Sequence, residues 1–324
     1  GITYRAWNEH LNSRVAMTEY FPADFAIRDE GDATVKPKDE TSLEAYQYGL
    51  QQFIQQAEIL EEIKHQNLVG VHNVLQFNDT AYLVMDLEED DSLSRRQDIS
   101  TSFTEDELTS WLRSLLSALQ TLHKNGAVHG DIHPSNILIR NNGVPALTNY
   151  SAARMALATY NKRLDKELRD GYAAPELYVP GHLPDTSTDL YALGATWFRC
   201  VSKINPPPSM ERQKAVDNQH PDPLQLKLDA SASEFNEPLL KSIAWMLALN
   251  PADRPKSAQE VSTLLDESSE EISGKTDSEL KTKQNETAAG QSHHGLLTGS
   301  IIGIILLLAG GLWYFQRDKR PEAV

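Results

Sequence analysis

Residues 128–139 read Val128-His129-Gly130-Asp131-Ile132-His133-Pro134-Ser135-Asn136-Ile137-Leu138-Ile139, the most informative stretch of the chain. Three shorter motifs follow it in order: Gly171-Tyr172-Ala173-Ala174-Pro175-Glu176, Asp189-Leu190-Tyr191-Ala192-Leu193-Gly194 and Asn250-Pro251-Ala252-Asp253-Arg254-Pro255. Each motif alone is a weak signal. The four together, in this order and at this spacing, are a strong one.

Residues 128–139 resemble the catalytic loop of protein kinases, whose pattern is H-R-D-x-x-x-x-N. His129, Asp131 and Asn136 fit that pattern, and Gly130 stands where the family has Arg. The three later motifs resemble the A-P-E element, the start of the central helix of the large lobe, and the segment whose Arg pairs with the A-P-E Glu. The resemblance covers residues 1 to about 265. It is nearest to bacterial, eukaryotic-like serine/threonine kinases.

The resemblance implies an α+β, bilobal fold. Gly1-Ile2-Thr3-Tyr4 looks like the end of the family's Gly-rich loop, whose start is missing from this sequence, and residues 15–22 look like its third strand. The implied divisions are a β-rich N-lobe over residues 1–86, an α-helical C-lobe over 87–265, a disordered linker over 266–295, a transmembrane helix over 296–315 and a short basic tail over 316–324.

Local patterns predict individual elements. Thr104 and Glu107 form a capping box that opens an amphipathic helix. Apolar spacing predicts the other helices, and alternation predicts strands. The predictions are a strand over 14–20, a loop over 33–41, a hairpin of 73–77 and 81–85 with its turn at 78–80, and helices over 43–63, 104–123, 190–201, 238–249 and 257–265.

The chain departs from the family at the positions that handle phosphate charge. Active kinases use a strand Lys paired with a helix Glu, and an Asp of the D-F-G triplet that binds Mg²⁺. Here the resemblance places Thr18 at the Lys position and Gln56 at the Glu position, and the triplet reads Asn149-Tyr150-Ser151. His133 stands where the loop Lys would be.

These losses are coordinated. Removing only the Lys would strand a partly buried Glu charge at a cost of about 3–5 kcal/mol. With Thr18 and Gln56 both neutral, neither is stranded. Asn136 and Asn149 are the implied metal positions, and Asn149 can offer one neutral oxygen where hard Mg²⁺ prefers carboxylate.

Two interpretations of Asp131 stay open: a working base, or a structural residue that bonds backbone amides, which the losses favour. His133 is either a phosphate contact or a loop residue without a ligand. If a nucleotide binds, the resemblance implies hinge contacts from the backbone groups of Asp86 to Glu88. The acidic run Glu88–Asp91 reads as a solvated loop.

By contrast, the family's architectural residues are retained. The resemblance implies that His129 and Tyr150 lie in an internal apolar column and that Glu176 and Arg254 form an ion pair. It also implies that Asp189 caps and anchors the central helix. The sequence therefore retains the residues that maintain the family's fold and lacks several of those that bind phosphate and Mg²⁺.

Composition excludes some functions. The net charge is 30 − 46 = −16, which argues against nucleic acid as a partner because phosphate backbones require clustered Lys and Arg. Cys200 is the single cysteine, so no intrachain disulfide can form, in keeping with a reducing compartment.

The C-terminal part predicts a membrane anchor. Residues 266–295 are too polar to form a core, whereas residues 296–315 are apolar, uncharged and long enough to cross a bilayer. Gly295, Gly299 and Gly303 lie on one helix face, which fits a homodimer contact or ordinary glycine usage equally. The family implies that the kinase-like part is cytoplasmic.

Three functions follow from these observations. The first is a membrane-anchored pseudokinase without phosphotransfer, which works as a binding or regulatory scaffold for an unidentified protein partner. The second is a weakly active serine/threonine kinase that transfers phosphate from ATP by means of Asp131 and Mg²⁺. The third is a nucleotide-binding sensor that holds ATP without transferring its phosphate.

Overall fold

The computed structural model describes residues 1–10, 12–99, 102–151 and 168–266. The chain divides into two units, Gly1–Ser269 and Glu270–Val324. All described residues belong to the first unit. The predicted anchor, its glycines and all but the first residue of the predicted linker lie outside the described residues.

The first lobe is built on a four-stranded antiparallel sheet and one long helix. The elements of this lobe are β1 Ile2–Asn8, β2 Ser13–Glu19, the short pair β3 Ala26–Ile27 and β4 Lys36–Pro37, helix α1 Leu43–Glu62, β5 Val71–Phe77 and β6 Thr80–Asp86. The strand order in the four-stranded sheet is β1-β2-β6-β5. The helix packs on the sheet through Tyr20, whose ring lies 5.4 Å from that of Tyr46 and 5.7 Å from that of Phe53.

The predicted hairpin is confirmed, with longer strands and a tighter turn. Asn78 and Asp79 both have positive φ, 55° and 56°. Asn and Asp tolerate this conformation, which two-residue hairpin turns require. Thr80, predicted in the turn, belongs instead to β6 and donates a hydrogen bond to the Tyr20 carbonyl (2.6 Å). The predicted loop over 33–41 is interrupted by β4 and by a 3₁₀ turn at Glu40–Ser42.

The second lobe is mainly helical. Its helices are α2 Leu93–Ile99, α3 Glu105–Lys124, α4 Thr186–Ser202, α5 Ser209–Asp217, α6 Pro223–Ala230, α7 Glu237–Met246 and α8 over 258–266. A three-stranded sheet of β7 Asp91–Ser92, β8 Ile137–Ile139 and β9 Pro145–Leu147 lies beside them. The predicted helices are confirmed, although α4 begins four residues earlier than predicted and α7 ends three residues earlier. The α+β, two-lobed fold is confirmed.

Helix α4 is the centre of the second lobe. Trp197 and Phe198 are fully buried, and the Trp197 indole donates to the Leu108 carbonyl (2.9 Å). Gly194 permits close approach of α7, because a Cβ there would lie 2.8 Å from the Cβ of Met246. Such packing gives the second lobe a rigid base for the loops that enter the site.

The end of α8 differs from the prediction. Asp266, predicted as the first linker residue, is helical and accepts a hydrogen bond from Arg113 (3.0 Å). Within the part of the chain that the structure describes, no helix is long and apolar enough to cross a membrane.

Replacing Thr104 by alanine tests the capping box of α3. The Thr104 hydroxyl accepts from the Glu107 amide, and the Glu107 carboxylate accepts from the Thr104 amide. We expect Thr104→Ala to lower the free energy of unfolding by about 1 kcal/mol in urea titrations. Thr121→Ala is the control, since Thr121 lies within the same helix and bonds only its own backbone turn. An equal loss in both variants would contradict the role of the cap.

Candidate active site

Asp189 anchors the start of the 129–136 loop through hydrogen bonds. Its carboxylate accepts hydrogen bonds from the backbone amides of His129 (2.8 Å) and Gly130 (2.9 Å) and contacts His123 Nε2 (3.0 Å). Burial by itself raises the pKa of Asp189, but hydrogen bonding and charge from His123, with further help from His129 and Gly130, hold that pKa below its ordinary value.

The predicted capping role of Asp189 is wrong, although its anchoring role is present. The N-cap of α4 is Asp185, whose carboxylate accepts from the amides of Ser187 and Thr188. Asp189 lies in the first turn of the helix, and its side chain faces the 129–136 loop instead. It therefore joins two elements rather than ending one.

His129 is a neutral structural residue. It is fully buried, its Nε2 bonds the Thr148 carbonyl (2.9 Å), and its Nδ1 accepts from the Asp131 amide (3.3 Å). Since a carbonyl can only accept, Nε2 carries the proton. Its ring lies 5.3 Å from that of Tyr150, whose hydroxyl donates to the Val69 carbonyl (3.2 Å). These contacts place His129 and Tyr150 together in the interior.

A pH titration tests the burial of His129. Burial lowers the pKa of His129 below its ordinary value of 6.5. The unfolded chain therefore binds the proton first, so stability is complete above about pH 6.5 and falls as pH drops below it, by at most about 1.4 kcal/mol per pH unit. Urea titrations at about pH 7.5 and about pH 5.5 measure this loss, which we expect to shrink in His129→Gln. The exposed His220→Gln is the control, and an unchanged loss in His129→Gln would contradict the assignment.

Asp131, Asn136 and Asn149 form one hydrogen-bonded chain. The Asn136 side-chain amide donates to the Asp131 carbonyl (2.8 Å) and contacts its carboxylate (3.4 Å). The Asn149 side-chain amide donates to Asn136 Oδ1 (2.9 Å). Asn149 adopts φ 60°, the left-handed conformation that Asn enters more readily than most residues.

The hydrogen bonds fix the orientation of the side-chain amides of Asn136 and Asn149. A backbone carbonyl can only accept, so the Asn136 nitrogen faces Asp131 and its oxygen faces Asn149. Because an oxygen can only accept, the Asn149 atom that faces it is the side-chain nitrogen. The oxygen that Asn136 could offer a metal therefore already accepts one hydrogen bond, from Asn149.

These residues do not fit the Mg²⁺ ions that the family implies. Mg²⁺ is bound through carboxylates together with phosphate and water oxygens. Asn136 is the residue type that the family uses at its position, but Asn149 replaces the metal-binding carboxylate of the D-F-G Asp, and the two amides are bonded to each other. Within the described residues, no group of three or more His, Cys, Asp or Glu side chains is placed to hold a metal ion.

Thr18 stands at the strand position of the missing Lys and contacts a second threonine on the neighbouring strand. Thr18 lies opposite Thr3 on the paired strands β2 and β1, and their hydroxyl oxygens are 3.0 Å apart. Gln56, at the predicted helix position, lies within α1 and is half-buried. Neither Thr18 nor Gln56 can carry the charges of the family's Lys–Glu pair.

Asp131 instead meets a cation that the sequence prediction missed. Arg169 Nε lies 2.9 Å from Asp131 Oδ1, and the Asp131 side chain is 8% exposed. His133 is also near, with its Nε2 3.8 Å from Asp131 Oδ2. His133 caps the 3₁₀ turn Pro134–Asn136, because its Nδ1 accepts from the Ser135 amide. The structure therefore gives His133 a position as a loop residue.

In the acidic run after β6, Glu88 forms a largely buried ion pair, which corrects the prediction at that position, whereas Glu89 is exposed as predicted. Glu88 bonds Arg140 through two nitrogens (3.1 and 2.5 Å), and Arg140 also donates to the Gln66 carbonyl. Further along, Glu89 pairs with Arg5 (3.5 Å). These contacts join the hinge to both lobes.

Asp86, the first predicted hinge residue, is engaged within the first lobe. Its carboxylate accepts from the Gly70 amide (3.2 Å) and lies 2.7 Å from His72 Nε2. A Cβ at position 70 would lie 2.5 Å from the Asp86 carboxylate, so a larger residue there would displace that side chain.

The Glu176–Arg254 ion pair is present in the second lobe. Two guanidinium nitrogens of Arg254 contact the two Glu176 oxygens at 2.5 and 2.8 Å, and the Arg254 side chain is fully buried. The guanidinium also lies 4.8 Å from the centre of the Tyr191 ring. Bidentate, charge-assisted pairing of this kind is strong and directional.

Comparisons with known proteins agree with this architecture. The family model of the protein kinase domain matches residues 32–264, more than half of the chain. The chain therefore belongs to the protein kinase family. It is similar to the probable serine/threonine-protein kinase PknB of Lactococcus lactis, 25% identical over 151 residues, which are 46% of this chain and 24% of that protein.

Two further similarities extend over more of the chain. The Arabidopsis thaliana serine/threonine-protein kinase RUNKEL is 27% identical over 202 residues, 62% of this chain and 14% of that protein. The structure titled "PpkA-294 apo form" superposes with a TM-score of 0.69 at 30% identity, over 82% of this chain and 91% of the other. The chain spans a quarter or less of the length of PknB and RUNKEL.

Proposed function

We propose that this chain is a membrane-anchored, serine/threonine-kinase-like protein that has lost phosphotransfer and acts by binding, as a scaffold or regulator. Its kinase-like domain lies in the cytoplasm in this proposal, and residues 296–315 hold it at the membrane. The partner is a protein that recognises the folded lobes.

The observation that carries this proposal is the amide pair of Asn149 and Asn136. Phosphoryl transfer depends on positioning and on neutralising charge, chiefly through Mg²⁺ and a Lys. At the triplet position Asn149 has no carboxylate, and it uses its amide to bind the oxygen of Asn136 (2.9 Å). Each missing electrostatic contact costs a few kcal/mol of transition-state stabilisation, roughly a hundredfold or more in rate.

The loss at Thr18 supports the same proposal independently. A threonine hydroxyl paired with Thr3 cannot neutralise the α- and β-phosphates. The contacts that maintain the fold are intact at the same time, above all the buried Glu176–Arg254 pair. Selective loss of charge in the cleft, beside an intact buried ion pair in the second lobe, fits a protein that acts through its surface.

A weakly active kinase is the second candidate, favoured by the contact between Asn136 and Asp131. A radiolabel assay separates the two. With ATP and either Mg²⁺ or Mn²⁺, we expect the full-length chain to transfer no more label to itself or to serine/threonine peptides than an Asp131→Asn variant does. Transfer that Asp131→Asn abolishes would establish the second candidate and reject the first.

The proposed anchor has a separate test. We expect the full-length chain to remain in the membrane fraction after alkaline carbonate washing and to be released by detergent, because residues 296–315 would lie in hydrocarbon. Replacing Ile304 and Leu307 by arginine makes insertion costly, so that variant should enter the soluble fraction. Release of the unchanged chain by carbonate alone would reject the anchor. Protease protection in sealed vesicles tests the cytoplasmic orientation.

A further inference from the structure

Arg169 reaches the carboxylate of Asp131 from the loop that precedes the Gly171–Glu176 motif. Its Nε is 2.9 Å from Asp131 Oδ1. The two side chains differ in exposure: Arg169 is 49% exposed and Asp131 8%. Arg169 therefore lies over Asp131 on the solvent side.

A tight turn fixes the backbone that delivers Arg169. The Arg169 carbonyl accepts from the amides of Tyr172 (3.0 Å) and Ala173 (2.9 Å). Gly171 has φ +84°, and a Cβ there would lie 2.3 Å from the Pro206 carbonyl oxygen. Only glycine fits at this position, so the turn is held against Pro206 and its direction is set.

Gly130 directly precedes Asp131 and borders the same cavity as Arg169. This small cavity is also lined by Asp131 and Tyr172. Gly130 has φ 79° and no side chain to fill this space. The positive charge that the H-R-D pattern places at position 130 is absent, and Arg169 brings a positive charge to Asp131 from position 169.

The contact between Arg169 and Asp131 bears on how the hydroxyl group of a substrate would be activated. A base in phosphoryl transfer accepts the hydroxyl proton while the hydroxyl oxygen attacks phosphorus. It must present an available oxygen within hydrogen-bond reach of that hydroxyl. Oδ1 of Asp131 accepts from Arg169, and Oδ2 lies 3.4 Å from the Asn136 amide and 3.8 Å from His133 Nε2, so a substrate hydroxyl has to compete with these groups for the carboxylate.

We propose that Arg169 occupies the acceptor position of Asp131 and blocks entry of a substrate hydroxyl, independently of the losses at positions 18, 56 and 149. This inference rests on the proposed loss of phosphotransfer and adds a second, separable cause for it. Restoring the nucleotide side alone would then leave the chain inactive.

The test uses full-length protein carrying Thr18→Lys, Gln56→Glu and Asn149→Asp, here termed the restored variant. Its partner carries Arg169→Met in addition, which keeps the side-chain length and removes the charge and the donors. Arg95→Met is the matched control, because Arg95 Nε also lies 2.9 Å from a carboxylate oxygen, that of Asp91, away from Asp131. Thermal shift with ATP and Mg²⁺ measures nucleotide binding, and radiolabel transfer measures the reaction.

We expect nucleotide to stabilise the restored variant equally with and without Arg169. Transfer should stay at background with Arg169 and rise at least about tenfold with Arg169→Met, since a positioned base contributes roughly a hundredfold or more. Arg95→Met should change nothing. Equal transfer with and without Arg169 overturns the inference. If the unaltered chain transfers phosphate, the proposed function fails, and a rise on Arg169→Met in that chain still upholds the block.

A folding measurement covers the case in which the restored variant binds no nucleotide. In the unaltered chain, the thermal midpoints of Arg169→Met, Asp131→Asn and the double variant form a cycle. Because the two side chains are in contact, we expect the double variant to lose less than the sum of the single losses. Strictly additive losses overturn the contact and the inference with it.

Discussion

Replacing Glu176 by leucine lowers the free energy of unfolding by about 3–5 kcal/mol. The loss arises because Arg254 stays fully buried with its charge unmatched, bonded only to neutral groups such as the Ala248 and Leu249 carbonyls. Urea titration with linear extrapolation measures the change. The effect is large because domains of this kind are stable by only about 5–15 kcal/mol in total.

Two further variants serve as comparisons for Glu176→Leu. Glu237→Leu breaks an exposed pair with Lys241 (2.7 Å), and we expect no measurable loss there. Adding Arg254→Met to Glu176→Leu should recover part of the loss, because no charge is then stranded. A Glu176→Leu loss as small as that of Glu237→Leu would show that the buried pair does not stabilise the second lobe.

Replacing Asp189 by alanine has the second large effect, a loss of at least about 3 kcal/mol. The variant leaves three donors without their acceptor in the interior: the amides of His129 and Gly130, and the His123 ring. Each buried donor left unsatisfied costs about 1–3 kcal/mol. The loss should also loosen the 129–136 loop, which hydrogen exchange of those amides would report.

Asp185→Ala is the comparison variant for Asp189. It removes the N-cap of the same helix and should cost about 0.5–2 kcal/mol. The order of the two losses therefore distinguishes a residue that joins two elements from one that ends a helix. If Asp185→Ala cost more than Asp189→Ala, the anchoring role assigned to Asp189 would be wrong.

Local sequence signals were sufficient for most of the architecture. The Thr104–Glu107 capping box and the apolar spacing after it predict α3 within one residue of its observed ends. The hairpin of β5 and β6 follows from alternation around Asn78 and Asp79. The ordered motifs place the two lobes, because each resembles a segment of known position in one fold.

Contacts between distant segments were beyond those signals. Arg169 and Asp131 are 38 residues apart, and no local pattern pairs them. Similarly, Glu88 looks solvated in the sequence because its partner, Arg140, lies in a distant segment of the chain. The direction in which Asp189 points depends on the packing of α4 beneath the loop, which sequence spacing does not encode.

The central claim is that the cleft does not bind a Mg²⁺-bound triphosphate. Thr18 stands where the family has its phosphate-binding Lys, and Asn149, bonded to Asn136, stands where the family has its metal-binding Asp. Thermal shift of the full-length chain against increasing ATP, with and without Mg²⁺, tests this most directly. Ligand binding to the native state raises the midpoint in a concentration-dependent way. We predict no rise that depends on Mg²⁺, up to millimolar ATP. A saturable, Mg²⁺-dependent rise would contradict the claim.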